Sequence, residues 1–286
     1  MIADAKFETG HIRVRDGLSL FYRDYPGSPG KAPLLCLHGL TRNSRDFLEF
    51  AERYSPQRRV ITPDFRGRGL SDYDPLPARY TPLTYATDVI ELLDQLGIEE
   101  AVFVGTSLGG LVTMAVAAVA PQRIAASILN DVGPELTDAG LERIRTYVGK
   151  DIRFASWAAA AAAIKANNKG LPAGYSDEDW LKMAWRSCRE EDGQVVFDYD
   201  MAIAVPFMTS GAAPSVDLWP VFNMLGAKPL LLVRGAESDL VSADALARMH
   251  AAVPDMQSVT IPGVGHAPML DEPEAVAAID ASLGGI

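Results

Sequence analysis

The sequence predicts an α/β fold: a mostly parallel central sheet of about eight strands, helices on both faces, and a helical segment inserted late in the chain. Three observations carry this. Short apolar runs alternate with helix-compatible stretches, so successive strands need crossover connections and lie parallel. A Gly-x-Ser-x-Gly run, Gly105-Thr106-Ser107-Leu108-Gly109, stands between an apolar strand and a helix. The alternation then lapses between about 134 and 215 and resumes afterwards.

Each element follows from its local pattern. His11-Ile12-Arg13-Val14 alternates, Asp16-Gly17 turns the chain, and residues 18–25 return to complete a hairpin. A Pro/Gly-rich link at 26–33 leads into a buried strand at 34–37, which ends at His38-Gly39. Residues 47–53 read as a short helix, and 60–62 as a strand running into Pro63-Asp64 and the Gly-rich turn 66–69. Over 84–96, Val89, Leu92, Leu93 and Leu96 share one helical face, and Gly97 stops the helix. A strand at 102–104 enters the serine turn, a helix at 111–120 leaves it, and a strand follows at 125–129. From 134 to 215 the pattern is helical, with strand character only at 194–197. The alanine run after Trp157 is helix by propensity. Ser176-Asp177-Glu178-Asp179 starts a capped helix that puts Trp180, Met183, Ala184 and Ser187 on one face. Then come a strand at 229–233, a helix at 242–252, a strand at 258–261 and a helix at 274–283. The division this predicts is a core of residues 1–133 and 216–286 with a helical lid at 134–215.

With 48% hydrophobic residues, the chain buries a sizeable core. Its net charge of −11 argues against nucleic acid or an anionic membrane as partner. Cys36 lies inside an apolar strand, and no CxxC or Cys/His cluster supports a disulfide framework or a zinc site. Residues 1–10 have no apolar leader core, and no 18-residue apolar stretch occurs. The expected setting is the cytoplasm, and the expected partner a small-molecule substrate of a monomer or homodimer.

The serine turn is where chemistry is expected. A strand must stop, reverse and become a helix there, and Gly105 and Gly109 let the backbone crowd together. Ser107 is thereby raised on the turn at the carboxyl edge of the sheet, facing the positive end of the next helix. A serine needs a base, and the base an orienting acid. Of four histidines, His11 lies in the hairpin, His250 inside a helix, and His38 in a loop it can bond internally. His266, after the last strand, reaches the same edge as Ser107 and is the expected base. Asp239, after the strand at 229–233, is the preferred acid, with Asp131, after 125–129, as the alternative; Glu237 reads as a surface carboxylate. The backbone N–H groups of Leu40 and Leu108 are the expected donors to an oxyanion. Asp64 is expected to fix its Gly-rich loop. Arg42 either grips a substrate carboxylate or forms a surface ion pair. Phe154, Trp157, Trp185, Phe207 and Met208 are candidates for the walls of an apolar pocket, while Trp219 and Phe222 pack.

From Phe7 to Leu283 the chain resembles the α/β-hydrolase superfamily. His38-Gly39, Asp64-x-Arg66-Gly67-x-Gly69-x-Ser71, the Gly105 to Gly109 elbow, Gly235-x-x-Ser238-Asp239 and Gly265-His266 stand in that family's order. The resemblance implies nucleophile, acid and base in the order Ser107, Asp239, His266. It also implies a serine hydrolase without metal or cofactor, cleaving a small, fairly apolar ester or lactone through an acyl-enzyme. Carbon–carbon bond hydrolases of ring-cleavage products are similar, but Leu40-Thr41-Arg42-Asn43-Ser44 departs from their Gly-rich loop. A small-ligand receptor without catalysis is the alternative of another class, since fold alone does not fix function.

Overall fold

A computed structural model of the chain describes residues 7–168, 174–209 and 217–286. The strands β1 (Glu8–Arg13) and β2 (Ser19–Tyr25) pair antiparallel, with His11 opposite Phe21. The sheet is completed by β3 (Leu34–Leu37), β4 (Val60–Pro63), β5 (Ala101–Thr106), β6 (Ile124–Asn130) and, after a long insertion, β10 (Leu230–Gly235) and β11 (Gln257–Ile261). Its order is β1-β2-β4-β3-β5-β6-β10-β11. Beyond the antiparallel β2–β4 pair, every neighbouring pair from β4 to β11 is parallel. This is the fold class expected from the alternation.

Strand side chains alternate between two cores. Leu35, Leu37 and Phe103 join Leu92 of α2 (Pro82–Gln95) and Val112 of α3 (Leu108–Val119) on one face. Leu34, Cys36, Val102 and Val104 join Phe50 of α1 (Leu48–Tyr54) and Ile279 of α10 (Pro273–Leu283) on the other. Burial on both faces is why these strands are continuously apolar. Within the first core, α8 (Trp219–Leu225) buries Phe222 completely, a helix that the sequence pattern did not mark. α9 (Ala243–Ala252) begins at the Ser242 cap, close to its expected start.

The segment between β6 and β10 is not purely helical, which corrects the sequence expectation. It holds α4 (Asp138–Arg145), α5 (Trp157–Asn167), α6 (Asp177–Ser187) and α7 (Ala204–Thr209). It also holds a three-stranded antiparallel sheet of β7 (Arg153–Phe154), β8 (Cys188–Glu191) and β9 (Gln194–Phe197), ordered β7-β9-β8. Asp192 and Gly193 close the β8–β9 hairpin with φ of 50° and 75°. Two consecutive left-handed residues make the turn that matches strand twist, and Asp-Gly suits it. The capping box at Ser176 and Asp179 is present, and Trp180, Met183, Ala184 and Ser187 are buried together. Parts of the expected 134–215 span lie outside the described residues.

Two features tie loops to this frame. Arg66, 2% exposed, donates to Asp88 at 2.6 and 2.7 Å, to Asp74 at 2.6 Å and to Asp16 at 2.8 Å. The Gly69 N–H donates to the Asp198 carbonyl at 3.1 Å, and the Asp200 N–H to the Gly67 carbonyl at 2.8 Å. Arg68 and Tyr199 thus form an antiparallel bridge between the core and the end of the insertion's sheet.

Candidate active site

The serine turn has the strained geometry its sequence implies. Ser107 sits at φ 51°, ψ −113°, between the end of β5 and the first residue of α3. A Cβ on Gly105 would lie 2.6 Å from the Gly109 backbone, and one on Gly109 would run into the Leu37 carbonyl. Only glycine permits that approach of helix to strand. The Ser107 N–H is anchored on the Asn130 carbonyl at 3.0 Å.

His266, in the loop after β11, meets Ser107 through Nε2 at 2.9 Å, and its Nδ1 lies 2.7 Å from Asp131 Oδ2. An ionised carboxylate only accepts, so Nδ1 carries the proton and Nε2 is left to accept from the Ser107 hydroxyl. Asp131 is completely buried and has φ 53°. Its Oδ1 accepts the Gly235 N–H at 3.0 Å, and its Oδ2 also accepts the Ser238 hydroxyl at 2.7 Å. These donors stabilise a buried charge that would otherwise be costly.

The carboxylate beside His266 differs from the first expectation: the structure sets Asp131, not Asp239, against the ring. Both Asp239 oxygens engage Arg143 of α4, whose hydrogen bonds hold that carboxyl below the usual carboxylate range. Glu237 is exposed. The physical reason is tertiary. Both aspartates follow parallel strands, but the Gly235 N–H and the Ser238 hydroxyl hold Asp131 beneath the imidazole while Arg143 takes Asp239.

Two supporting residues escaped the sequence reading. Asn130 Nδ2 donates to Thr106 Oγ1 at 3.1 Å and to the Pro268 carbonyl at 2.8 Å, tying the serine turn to the histidine loop. Ser238 orients Asp131 while accepting the Leu240 and Val241 N–H groups at 3.2 and 3.1 Å. Their signal was position, each at or just past the carboxyl end of a parallel strand, and for Ser238 also its place in Gly235-x-x-Ser238-Asp239, where it was given no role.

The loop after β3 is held from beneath. The Phe65 N–H donates to His38 Nε2 at 3.0 Å, so Nδ1–H donates to the Gly39 carbonyl at 2.8 Å. Burial drives the His38 pKa down to about 4 and keeps the ring neutral, in the structural role expected for it. Arg68 Nε donates to the Leu40 carbonyl at 3.0 Å. Asp64 accepts the Ser44 N–H at 2.6 Å and the Leu70 N–H at 2.9 Å, fixing two loops at once. Among the described residues, the N–H groups of Leu40 and Leu108 have no acceptor.

Ser107 and His266 open onto a cavity of about 260 Å³ roofed by the insertion. Ile144, Ile152, Phe154 and Ile164 supply an apolar flank. Of the other proposed lining residues, Arg42 does face the cavity, but Asp46 grips it at 2.8 and 3.0 Å and Ser187 takes Nη1. Among the described residues, the cavity walls include none of Trp157, Trp185 and Met208. Trp157 donates to Glu190 at 2.8 Å, Trp185 lies against the Arg45 guanidinium, and Met208 is exposed. The Phe207 side chain lies outside the described residues. Both cysteines are buried and free, no helix among the described residues is long and apolar enough to cross a membrane, and no metal-ligating cluster occurs among them.

Comparison with known proteins agrees with this architecture. The Alpha/beta hydrolase family profile matches residues 34–279. The chain is 33% identical to a 3-hydroxybutyrate-oligomer hydrolase of Cupriavidus necator, over 90% of this chain and 89% of that protein. It is 31% identical to a 2-(acetamidomethylene)succinate hydrolase of Mesorhizobium japonicum, over 83% and 82%. The crystal structure of an alpha/beta hydrolase from Novosphingobium aromaticivorans superposes with a TM-score of 0.93 at 47% identity, covering 99% of both chains. The chain belongs to the alpha/beta hydrolase family and is an enzyme, a hydrolase.

Proposed function

We propose that this hydrolase is a serine esterase acting through an acyl-enzyme, with Ser107 as nucleophile, His266 as base and Asp131 as orienting acid. The observation that carries the reading is the unbroken chain from Ser107 Oγ through the His266 ring to Asp131 Oδ2, at 2.9 and 2.7 Å. As Ser107 attacks the ester carbonyl, its proton passes to His266 Nε2, and Asp131 stabilises the imidazolium. The Leu40 and Leu108 N–H groups receive the oxyanion. His266 then protonates the departing alcohol. Water, losing its proton to His266, attacks the acyl group and frees Ser107.

The substrate class we favour is a short oligoester of a small hydroxy acid. Its support is the likeness to a 3-hydroxybutyrate-oligomer hydrolase over nine-tenths of the chain. The cavity of about 260 Å³ sits just below the range of roughly 300–1,000 Å³ usual for drug-sized ligands, which favours a short substrate. The insertion acts as its lid, walling the cavity with side chains of α4, α5 and α6.

The test is hydrolysis of the 3-hydroxybutyrate dimer and of p-nitrophenyl butyrate, with fluorophosphonate labelling of the protein. Both esters turn over, and labelling disappears in Ser107→Ala. No turnover of either ester, or labelling that survives the substitution, overturns the proposal. Cleavage of a vinylogous diketone without ester hydrolysis would replace it with carbon–carbon bond cleavage.

A further inference from the structure

The cavity carries an electrostatic bias opposite to that of the whole chain. The protein's net charge is −11, yet apart from His266 the described cavity walls hold two guanidinium groups, Arg42 and Arg143, against one carboxylate, Asp46. The two cations are not equivalent. Arg42 is committed: Nε and Nη2 engage Asp46, Nη1 engages Ser187, and Nη2 also touches Met183 Sδ at 3.0 Å. Arg143 has donors in reserve. Nε and Nη2 hold the two oxygens of Asp239. A guanidinium has five N–H groups, so these two bonds do not exhaust it. Its side chain is 33% exposed, and it lines the cavity whereas Asp239 does not. A substrate in the cavity therefore meets the cation rather than its counter-ion. Asp239 sets the orientation of the fork, and Ile144 and Ile152 line the same cavity.

We propose that Arg143 binds a carboxylate carried by the substrate away from the ester being cleaved, so that the enzyme selects esters bearing a free acid over their neutral counterparts. For a hydroxy-acid oligoester this group is the terminal acid. The assignment rests on the esterase reading above for the identity of that substrate, but the binding step does not require catalysis.

The experiment separates the two. Full-length Ser107→Ala protein is titrated calorimetrically with the 3-hydroxybutyrate dimer and with its methyl ester. The acid binds at least about tenfold more tightly, as a charge-assisted pair implies. Adding Arg143→Met abolishes the preference, and Arg143→Lys restores part of it, which a purely structural role for Arg143 does not predict. Absent binding of the acid, equal binding of acid and ester, or a preference that survives Arg143→Met overturns the subsite. In the wild-type enzyme the same preference is expected in kcat/KM. A binding preference that persists while neither compound is hydrolysed supports the subsite and removes the esterase reading alone.

Discussion

Asp131 and His266 stand 135 positions apart in the chain and meet at 2.7 Å, because the turns after β6 and β11 emerge at one edge of a parallel sheet. Asp239, on the turn after β10 between them, is drawn instead to Arg143. The proposed acid is the carboxylate that the backbone buries beneath the imidazole, and that assignment can be measured. Asp131→Asn is expected to lower turnover on the order of 10⁴-fold, the effect known for the equivalent change in a serine protease. Asp239→Asn is expected to cost no more than about tenfold on a neutral ester. The reverse ranking in steady-state kinetics would return the role to Asp239.

Gly109→Ala probes the serine turn itself. The added methyl would run into the Leu37 carbonyl, which belongs to a central strand and cannot yield without moving the sheet. The expected destabilisation is about 1–3 kcal/mol by denaturant melting. Displacement of Ser107 should lower turnover by roughly 100-fold. A variant with wild-type stability and activity would show that the close packing here is dispensable.

His38 links stability to pH. Its folded pKa of about 4 lies below the ordinary 6.5, so between those values the unfolded chain takes up a proton that the folded chain refuses. Stability is complete above about pH 6.5 and declines as pH falls towards 4, by up to about 3 kcal/mol. His38→Gln should flatten that part of the stability–pH curve. An unchanged slope in the variant would assign the effect to other groups.

Arg66 holds the loop after β4. Its removal in Arg66→Met leaves Asp74 and Asp88 buried without their cation. Breaking one side of a buried ion pair costs about 3–5 kcal/mol. Chemical denaturation measures the loss directly, and a loss below about 1 kcal/mol would mean that water reaches these carboxylates.

Much of this molecule is legible in its sequence because the relevant signals are local. The helix after Ser107, the two glycines beside it and the capped start of α6 each rest on contacts within a few residues. His266 as the partner of Ser107 was legible for a similar reason: of the two histidines that follow parallel strands, His38 sits in a loop it can bond internally, which leaves His266. The acid was not, because Asp131 and Asp239 both follow parallel strands. What separates them is tertiary: Ser238 and Gly235 donate to one, and Arg143 neutralises the other. The hairpin of β8 and β9 was missed because Cys188-Arg189-Glu190-Glu191 has no alternating apolar face, although Asp192-Gly193 was a legible turn. Phe154 lines the cavity as expected, but the two indoles do not, for a related reason. Trp157 and Trp185 found partners in Glu190 and Arg45 at the outer surface, and nothing in composition distinguishes an inward from an outward indole.

The bridge between Arg68 and Tyr199 bears on how substrate gets in. Its two main-chain hydrogen bonds stitch the roof to the loop beneath it, and a hinged swing of the whole roof would have to tear that seam. Any displacement of the roof along this edge therefore requires both bonds to break together.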